Sequence, residues 1–387
     1  MPELYPFQKL AIDHLSKNGS HVICVAATGS GKSRIYEEIA ANSQTRMLLV
    51  SPLIALARQQ ARQLRELGMN TLLLAGSQDR LQDLSPEISA CVVTPERLGH
   101  HASKKILADW RPEFLVIDEC HCIWEWGEDF RPSFKKLPGL IPEMKIEKSL
   151  WLSATLHREA RAALKNELPA QVKEVGHFSL PAELFIEVRK TAWPERAENL
   201  FRWINHRREV GIIFVSTREA TERVAQIARA TGRKVAAYHA GLSQDERRNI
   251  EAQVSSGTLD VVVSTSAFGM GMNFSHLKWV VLWQSPASLL SLAQEIGRVG
   301  RAHQLGHALI YWDYEDFRLH EWTLGQSVRK MEDLIETKKF LSSQRCRRLA
   351  LMEYFDTQVT DEPCALKCDY CASATRNTEY RSDLIAT

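Results

Sequence analysis

The chain has 387 residues, room for two to three domains at about 150 residues each. Hydrophobic residues make up 44% and charged residues 25%, which excludes a disordered chain because there is apolar surface for more than one core. Lys plus Arg total 49 against 47 for Asp plus Glu, a formal net charge of +2, and that balance alone points to neither nucleic acid nor an acidic partner.

No run of about 18 apolar residues is present, so no membrane-spanning helix and no membrane partner are expected. The opening stretch lacks the basic segment and long apolar run of a signal peptide. A cytoplasmic location of the bacterial, nucleoid-associated type is the expectation, with the nucleus as the alternative. The eight cysteines are then expected as core thiols, metal ligands or catalysts rather than disulfides.

In chain order, short β-branched runs alternate with amphipathic helical stretches. Strands are predicted at His21–Val25, Met47–Val50, Thr71–Leu74, Ala90–Val93, Phe114–Ile117 and Leu150–Leu152, with helices such as Ala55–Leu67 between them. After a less regular stretch near His177–Pro194 the rhythm restarts at Gly211–Val215, Lys234–Tyr238, Asp260–Val263, Trp279–Trp283 and Ala308–Tyr311. Strands separated by helices imply right-handed βαβ units and mostly parallel sheets covered on both faces. From about Asp316 the strand signal stops, and Ser327–Phe340 and Arg345–Phe355 read as basic helices. The expected fold is therefore α/β: a first domain over 1–190, a second over 191–325, a small helical C-terminal subdomain over 326–375 and a polar tail over 376–387.

The first strand runs into Ala26-Ala27-Thr28-Gly29-Ser30-Gly31-Lys32-Ser33 and then a helix. This is a Walker A loop with Ala26 where the strict pattern has Gly. Small residues let backbone amides of Thr28 to Ser33 curl around phosphates, aided by the helix N-terminus. Lys32 is expected to reach the β- and γ-phosphates of ATP, and Ser33 to ligate Mg²⁺. The strand ending at Ile117 carries Asp118-Glu119-Cys120-His121, placing Asp118 to hold Mg²⁺ and Glu119 to deprotonate the attacking water. Cys120 and Cys122 flank His121 without the spacing or fourth ligand of a closed metal site, and are expected as packed thiols. Arg298 and Arg301, three residues apart, are expected on one helical face, with Arg301 as an arginine finger and Arg298 supporting it.

At the C-terminal end stand Cys346, Cys364, Cys368 and Cys371. Three thiols within eight residues plus one from a preceding basic helix suit a tetrahedral Zn²⁺ site; an iron–sulfur cluster uses the same four ligands. Trp124, Trp126, Phe130 and Phe134 crowd close to Asp118, with Arg131 among them. Such faces stack on unpaired bases for about 1–3 kcal/mol each; Phe134 is expected in the core and Trp126 is not.

Walker A, the DECH box, Ser153-Ala154-Thr155 and Gln294-Glu295-Ile296-Gly297-Arg298-Val299-Gly300-Arg301 together resemble the ordered motifs of superfamily-two helicases. The run His121-Cys122-Ile123-Trp124-Glu125-Trp126-Gly127-Glu128-Asp129-Phe130-Arg131-Pro132 is similar specifically to the RecQ family. So are Ser51–Leu56, Thr94–Leu98, Tyr238–Leu242 and Ala267–Asn273, and the resemblance extends from about Gln8 to Cys371. It implies two tandem RecA-like domains followed by a zinc-binding platform. It further implies that Gln8 reads adenine with Tyr5 stacking, that Gly269 belongs to the nucleotide-binding set, and that His121 and Gln294 couple the domains. Thr94, Arg97, Thr217 and Thr265 fall in its phosphate-contacting segments, and Trp126, Phe130 and Arg131 in its aromatic-rich loop. Arg345, Arg347 and Arg348 would face duplex phosphates.

The family usually continues into a winged-helix domain, whereas this chain stops soon after Cys371. Ala302 stands where Asp is common, and the usual Arg-Pro-Gly before the first glutamine is missing. The implied function is a monomeric, ATP-dependent 3′-to-5′ DNA helicase using Mg²⁺ and Zn²⁺ on single-stranded and tailed duplex DNA, in repair or recombination. A translocase, an RNA-directed helicase and an ATP-switched scaffold are the alternatives.

Overall fold

A computed structural model describes residues 3–27, 29–42, 45–76, 79–126, 133–169, 171–265, 276–301, 304–324, 327–355 and 364–374. Contacts divide the chain into two compact units, Met1–Ser179 and Leu180–Thr387.

The first unit holds seven parallel strands: β1 His21–Val25, β2 Met47–Val50, β3 Thr71–Leu74, β4 Ala90–Val93, β5 Phe114–Ile117, β6 Lys148–Ser153 and β7 Val172–Gly176. They lie in the order β3-β4-β2-β5-β6-β1-β7. Every residue of β1, β2, β4 and β5 is buried, as a parallel sheet covered by helices on both faces demands. Helix Ile54–Glu66 shows how the cover works. Leu56, Ala57, Ala61 and Leu64 form its buried stripe, and Gln60 stands in the same stripe.

The second unit holds β8 Leu184–Lys190, β9 Gly211–Phe214, β10 Val235–Tyr238, β11 Val261–Ser264, β12 Trp279–Leu282 and β13 Gly306–Trp312. The order is β10-β11-β9-β12-β13-β8, all parallel. Gly211 pairs with Trp279 in register, and a Cβ there would come within 2.0 Å of the indole; only glycine lets these strands meet.

The predicted strands all form, with ends shifted by up to two residues. Two strands were not anticipated: β7, and β8 inside the stretch read as irregular. Both are sheet edges carrying Lys, Glu or Arg and are only partly buried, so neither shows the continuous apolar run of a central strand. Because β8 pairs with β13, the first boundary falls after Ser179 and not after residue 190. Helices Val328–Ser342 and Arg347–Tyr354 confirm the helical C-terminal region. It belongs to the second unit, where Ile186 of β8 forms a parallel bridge with Cys368.

One buried ion pair organises this unit. Arg196 and Asp316 are both 0% exposed, and their two nitrogens and two oxygens face each other at 3.0 Å. Arg196 also donates to the carbonyls of Thr191 and Trp283. Asp316 accepts further bonds from Trp193 Nε1 and the backbone amides of Ser285 and Asp313. Each buried charge is thus satisfied, and the ends of β8, β12 and β13 are tied together. Arg196→Ala leaves a carboxylate buried without its cation and should cost about 3–5 kcal/mol in urea unfolding. The double variant Arg196→Met with Asp316→Leu should lose less than either single change.

Candidate nucleotide site and metal centre

Strands β5, β6 and β1 are neighbours in the first sheet, so the segments leaving their C-terminal ends emerge side by side. After β1, the loop folds over the end of β6 through a 3.1 Å bond from Ala26 N to Ser153 O. Gly29 and Gly31 take φ of +80° and +79°, the left-handed region that turns successive amides inward. Lys32 is buried, and its ammonium donates to the carbonyls of Ala26 and Ala27 at 2.8 and 3.2 Å. Helix Arg34–Asn42 follows directly, so amides, a helix N-terminus and an ammonium converge as a polyphosphate requires.

Gln8 is buried against this loop. Its Nε2 donates to Gly31 O at 2.7 Å while its Oε1 accepts from Tyr5 N at 2.8 Å. The Gln8 amide thus braces the phosphate loop, and Tyr5 lies 60% exposed beside it, parallel to the Phe7 ring.

Asp118 leaves β5 with Oδ2 accepting from Gln60 Nε2 at 2.6 Å and Oδ1 from Glu119 N at 3.0 Å. Loss of solvent pushes its carboxyl up to about 6, the Glu119 charge adds to the rise, and Lys32 opposes it. Burial and the Asp118 charge likewise raise the phenol of Tyr36, whose hydroxyl lies in reach of Gln60 and Ser33. Ser33, Tyr36, Gln60 and Asp118 therefore form one polar cluster, a charged site open to neutralisation by a divalent cation.

Glu119 has φ of +49°, a left-handed conformation that is uncommon for a residue with a Cβ. His121 explains how its carboxylate is steadied. The Ser153 hydroxyl donates to Thr155 O at 2.7 Å and accepts from Thr155 N at 3.0 Å. His121 Nδ1, 3.1 Å from Ser153 Oγ and 3.3 Å from Glu119 Oε2, must then carry the proton and donate. Burial works against charge on His121, but Cys122 and Glu119 outweigh it and hold the imidazole well above its ordinary value. The acidic box and the Ser-Ala-Thr segment are joined through this ring.

Two of these contacts were missed in the sequence. The signal for Gln60 was a polar residue in an apolar helical stripe; Ser153 stood out within the Ser-Ala-Thr motif, but nothing local tied its hydroxyl to His121. Cys24, Cys91, Cys120 and Cys122 are buried as expected, as is Phe134, while Trp124 is half-buried. Thr28, Phe130, Arg131 and Gly269, and the side chain of Trp126, lie outside the described residues.

The four phosphate-contact candidates also follow C-terminal strand ends. Thr94 follows β4 and is buried; Arg97 donates to Asp79 O at 2.7 Å. Thr217 is an exposed N-cap whose hydroxyl accepts from Ala220 N at 3.1 Å, and Thr265 follows β11, half-buried. Gln294 lies on helix Leu289–Ile296. Arg298 and Arg301 do not share a helical face: the helix ends at Ile296, and Arg301 Nε donates back to Gly297 O at 2.9 Å. Glycines at 297 and 300 stop the helix where an uninterrupted period was expected.

The four C-terminal cysteines converge, with all sulfurs within 4.8 Å of one another. Cys364–Cys368 and Cys368–Cys346 separations are 3.6 and 3.9 Å. Zinc–thiolate bonds of about 2.3 Å arranged tetrahedrally require sulfurs about 3.8 Å apart, so the donor set fits zinc. Ala365 and Leu366 take positive φ, which bends the chain back between two ligands. The neighbouring arginines correct an expectation. Arg347 is buried and bonds Asp369 at 3.0 Å, Arg348 donates to Pro181 O and Leu184 O, and Arg345 pairs with Glu353. Arg347 and Arg348 hold the platform to itself and to β8 rather than facing a duplex, whereas Arg345 stays exposed beside Glu353.

Known proteins match this layout along the chain. The description "DEAD/DEAH box helicase" matches residues 5–163, "Helicase conserved C-terminal domain" 195–303 and "RecQ zinc-binding" 314–372. The ATP-dependent DNA helicase RecQ of Pasteurella multocida is 32% identical over 369 residues, covering 91% of this chain and 58% of that protein. The protein of the same name from Bacillus subtilis is 28% identical, covering 95% and 64%. The chain thus spans roughly three fifths of the curated relatives' length. Among solved structures, S. cerevisiae Dbp5 bound to RNA and ADP BeF3 has a TM-score of 0.65 at 17% identity, covering 87% of this chain and 93% of that one, a likeness of fold. No described helix is long and apolar enough to cross a membrane.

Purified chain should contain about one zinc, without the visible absorbance of an iron–sulfur cluster. Cys364→Ser or Cys371→Ser should bring the metal content measured after dialysis close to zero.

Proposed function

We propose an ATP-driven DNA helicase motor for this chain, which belongs to the RecQ family of helicases. The observation that carries the reading is that the phosphate loop after β1 and the Asp118-Glu119 pair after β5 leave the same edge of the sheet on either side of β6, together with a Cys₄ module of the family's type. Amides from Thr28 to Ser33 and the Lys32 ammonium hold the phosphates of ATP, with Tyr5, Gln8 and Gly269 on the remainder of the nucleotide. Ser33 and Asp118 hold Mg²⁺, which neutralises charge on the phosphates. Glu119, oriented by His121, takes the proton of the attacking water. Arg301 with Arg298 stabilises charge developing on the γ-phosphoryl group, and Gln294 couples hydrolysis to movement.

Thr94, Arg97, Thr217 and Thr265 grip strand phosphates, which positions DNA without reading its sequence. Trp126, Phe130 and Arg131 engage unpaired bases and report strand occupancy to Glu119. The cycle moves the chain, acting as a monomer, 3′ to 5′ on single strands and opens tailed duplexes in repair or recombination.

Strand displacement on duplexes with 3′ or 5′ tails tests this directly: a 3′ tail should be required. Opening of 5′-tailed duplexes alone would reverse the polarity. Hydrolysis without displacement would mark a translocase or scaffold, and stronger stimulation by RNA an RNA-directed enzyme. Lys32→Ala and Glu119→Gln should each lower DNA-stimulated hydrolysis about 10²-fold or more with unchanged unfolding curves. Trp126→Ala should keep basal hydrolysis but lose much of the stimulation by single strands.

A further inference from the structure

The motif residues of the second unit follow the C-terminal strand ends. The opposite, N-terminal edge of that sheet carries a cavity of about 740 Å³, within the roughly 300–1,000 Å³ range of small-molecule sites. Phe185 near the start of β8, Trp279 at the start of β12 and Leu305 just before β13 give it apolar walls. Three cations line it: Lys367, which is paired with Glu183, and Arg207 and Lys278, which have no ion pair among the described residues.

Neither Arg207 nor Lys278 is neutralised at contact distance. Lys278 Nζ donates to the neutral amide oxygen of Gln304. The Arg207 guanidinium lies 3.5 Å from the Trp203 ring centroid and donates to Trp203 O and to His307 Nδ1, the latter at 3.0 Å. Since a guanidinium can only donate, His307 Nδ1 is the acceptor, and His307 Nε2–H donates to Glu187 Oε2 at 2.8 Å. His307 is therefore neutral and leaves the Arg207 charge in place. Of the lining carboxylates, Glu183 is paired with Lys367, while Glu209 accepts from the Arg208 amide and acts on Arg207 only from beyond contact distance. Among the described residues no carboxylate lies within ion-pairing distance of Arg207 or Lys278. Loss of solvent lowers the Arg207 value from that of a free guanidinium, and the more distant Glu209 and Glu187 charges only partly offset it.

We propose that this cavity is a second ligand site, distinct from the nucleotide site, that binds a small organic anion with a flat apolar body. The acidic group sits between Arg207 and Lys278, and the apolar body lies against Phe185 and Leu305. Anion and apolar surface are both required, because two cations in water would favour inorganic phosphate as readily as any organic acid.

Calorimetric titration of the full chain with naphthoate, in saturating ADP, tests the site, with neutral naphthamide as the control. One equivalent of naphthoate should bind despite the ADP, and naphthamide at least about tenfold more weakly. Lys278→Gln should weaken naphthoate about tenfold. Leu305→Glu, at a position 76% exposed and so harmless to folding, should do the same by filling the rim with like charge. No binding by the unaltered chain, equal binding of the amide, displacement by ADP, or indifference to both substitutions would each overturn the proposal.

Discussion

Parallel strand pairing is the constraint on which the rest of the first unit depends. Cys24 of β1 stands opposite Leu152 of β6, and Val116 of β5 opposite Leu150. With all three strands running the same way, Lys32, Asp118 and Ser153 are delivered to one edge although they are far apart in the chain. Antiparallel pairing would have sent one of them to the other end. Burial of both sheet faces supplies the stability, so the edge loops are left to carry positive φ at Gly29, Gly31 and Glu119.

Two carboxylates show how differently burial is used. Asp316 meets a guanidinium head-on and accepts three more bonds from an indole and two backbone amides. It is a fastening, and its full set of partners leaves nothing for a ligand to add. Among the described residues Asp118 accepts only from the Gln60 amide and a backbone N–H, with Lys32 acting on it from a distance. Its raised value expresses charge that the protein alone does not neutralise, which is the condition under which a cation gains affinity. Full satisfaction marks the structural group and incomplete satisfaction the chemical one.

The C-terminal cysteines connect metal chemistry to the sheet. Cys368 bridges to β8, Asp369 accepts from the Val188 amide and from Arg347, and Lys367 reaches Ala182 and Glu183. The thiolate cluster therefore covers a strand that would otherwise be an open edge. Arg347 and Arg348, basic residues that suggested a nucleic-acid surface, serve this attachment instead.

Much was legible without coordinates, for a physical reason. Central strands, the phosphate loop, the acidic box and the cysteine spacing are local patterns in which residue type and short-range geometry suffice. The edge strands β7 and β8 escaped because exposed edges tolerate charge, and their place is set by a partner strand. The break after Ile296 escaped because two glycines outweighed the helical period that places Arg298 and Arg301 together. By itself the sequence determined two parallel α/β sheets, a nucleotide loop and a four-thiol site. Only the tertiary structure decided that Gln60 and Tyr36 join Asp118 and that His121 donates to Ser153. It alone showed that Arg347 and Arg348 are fasteners and that, among the described residues, Arg207 and Lys278 have no contact carboxylate at the far edge of the second sheet. Each of these depends on side chains brought together across many residues, which no local pattern encodes.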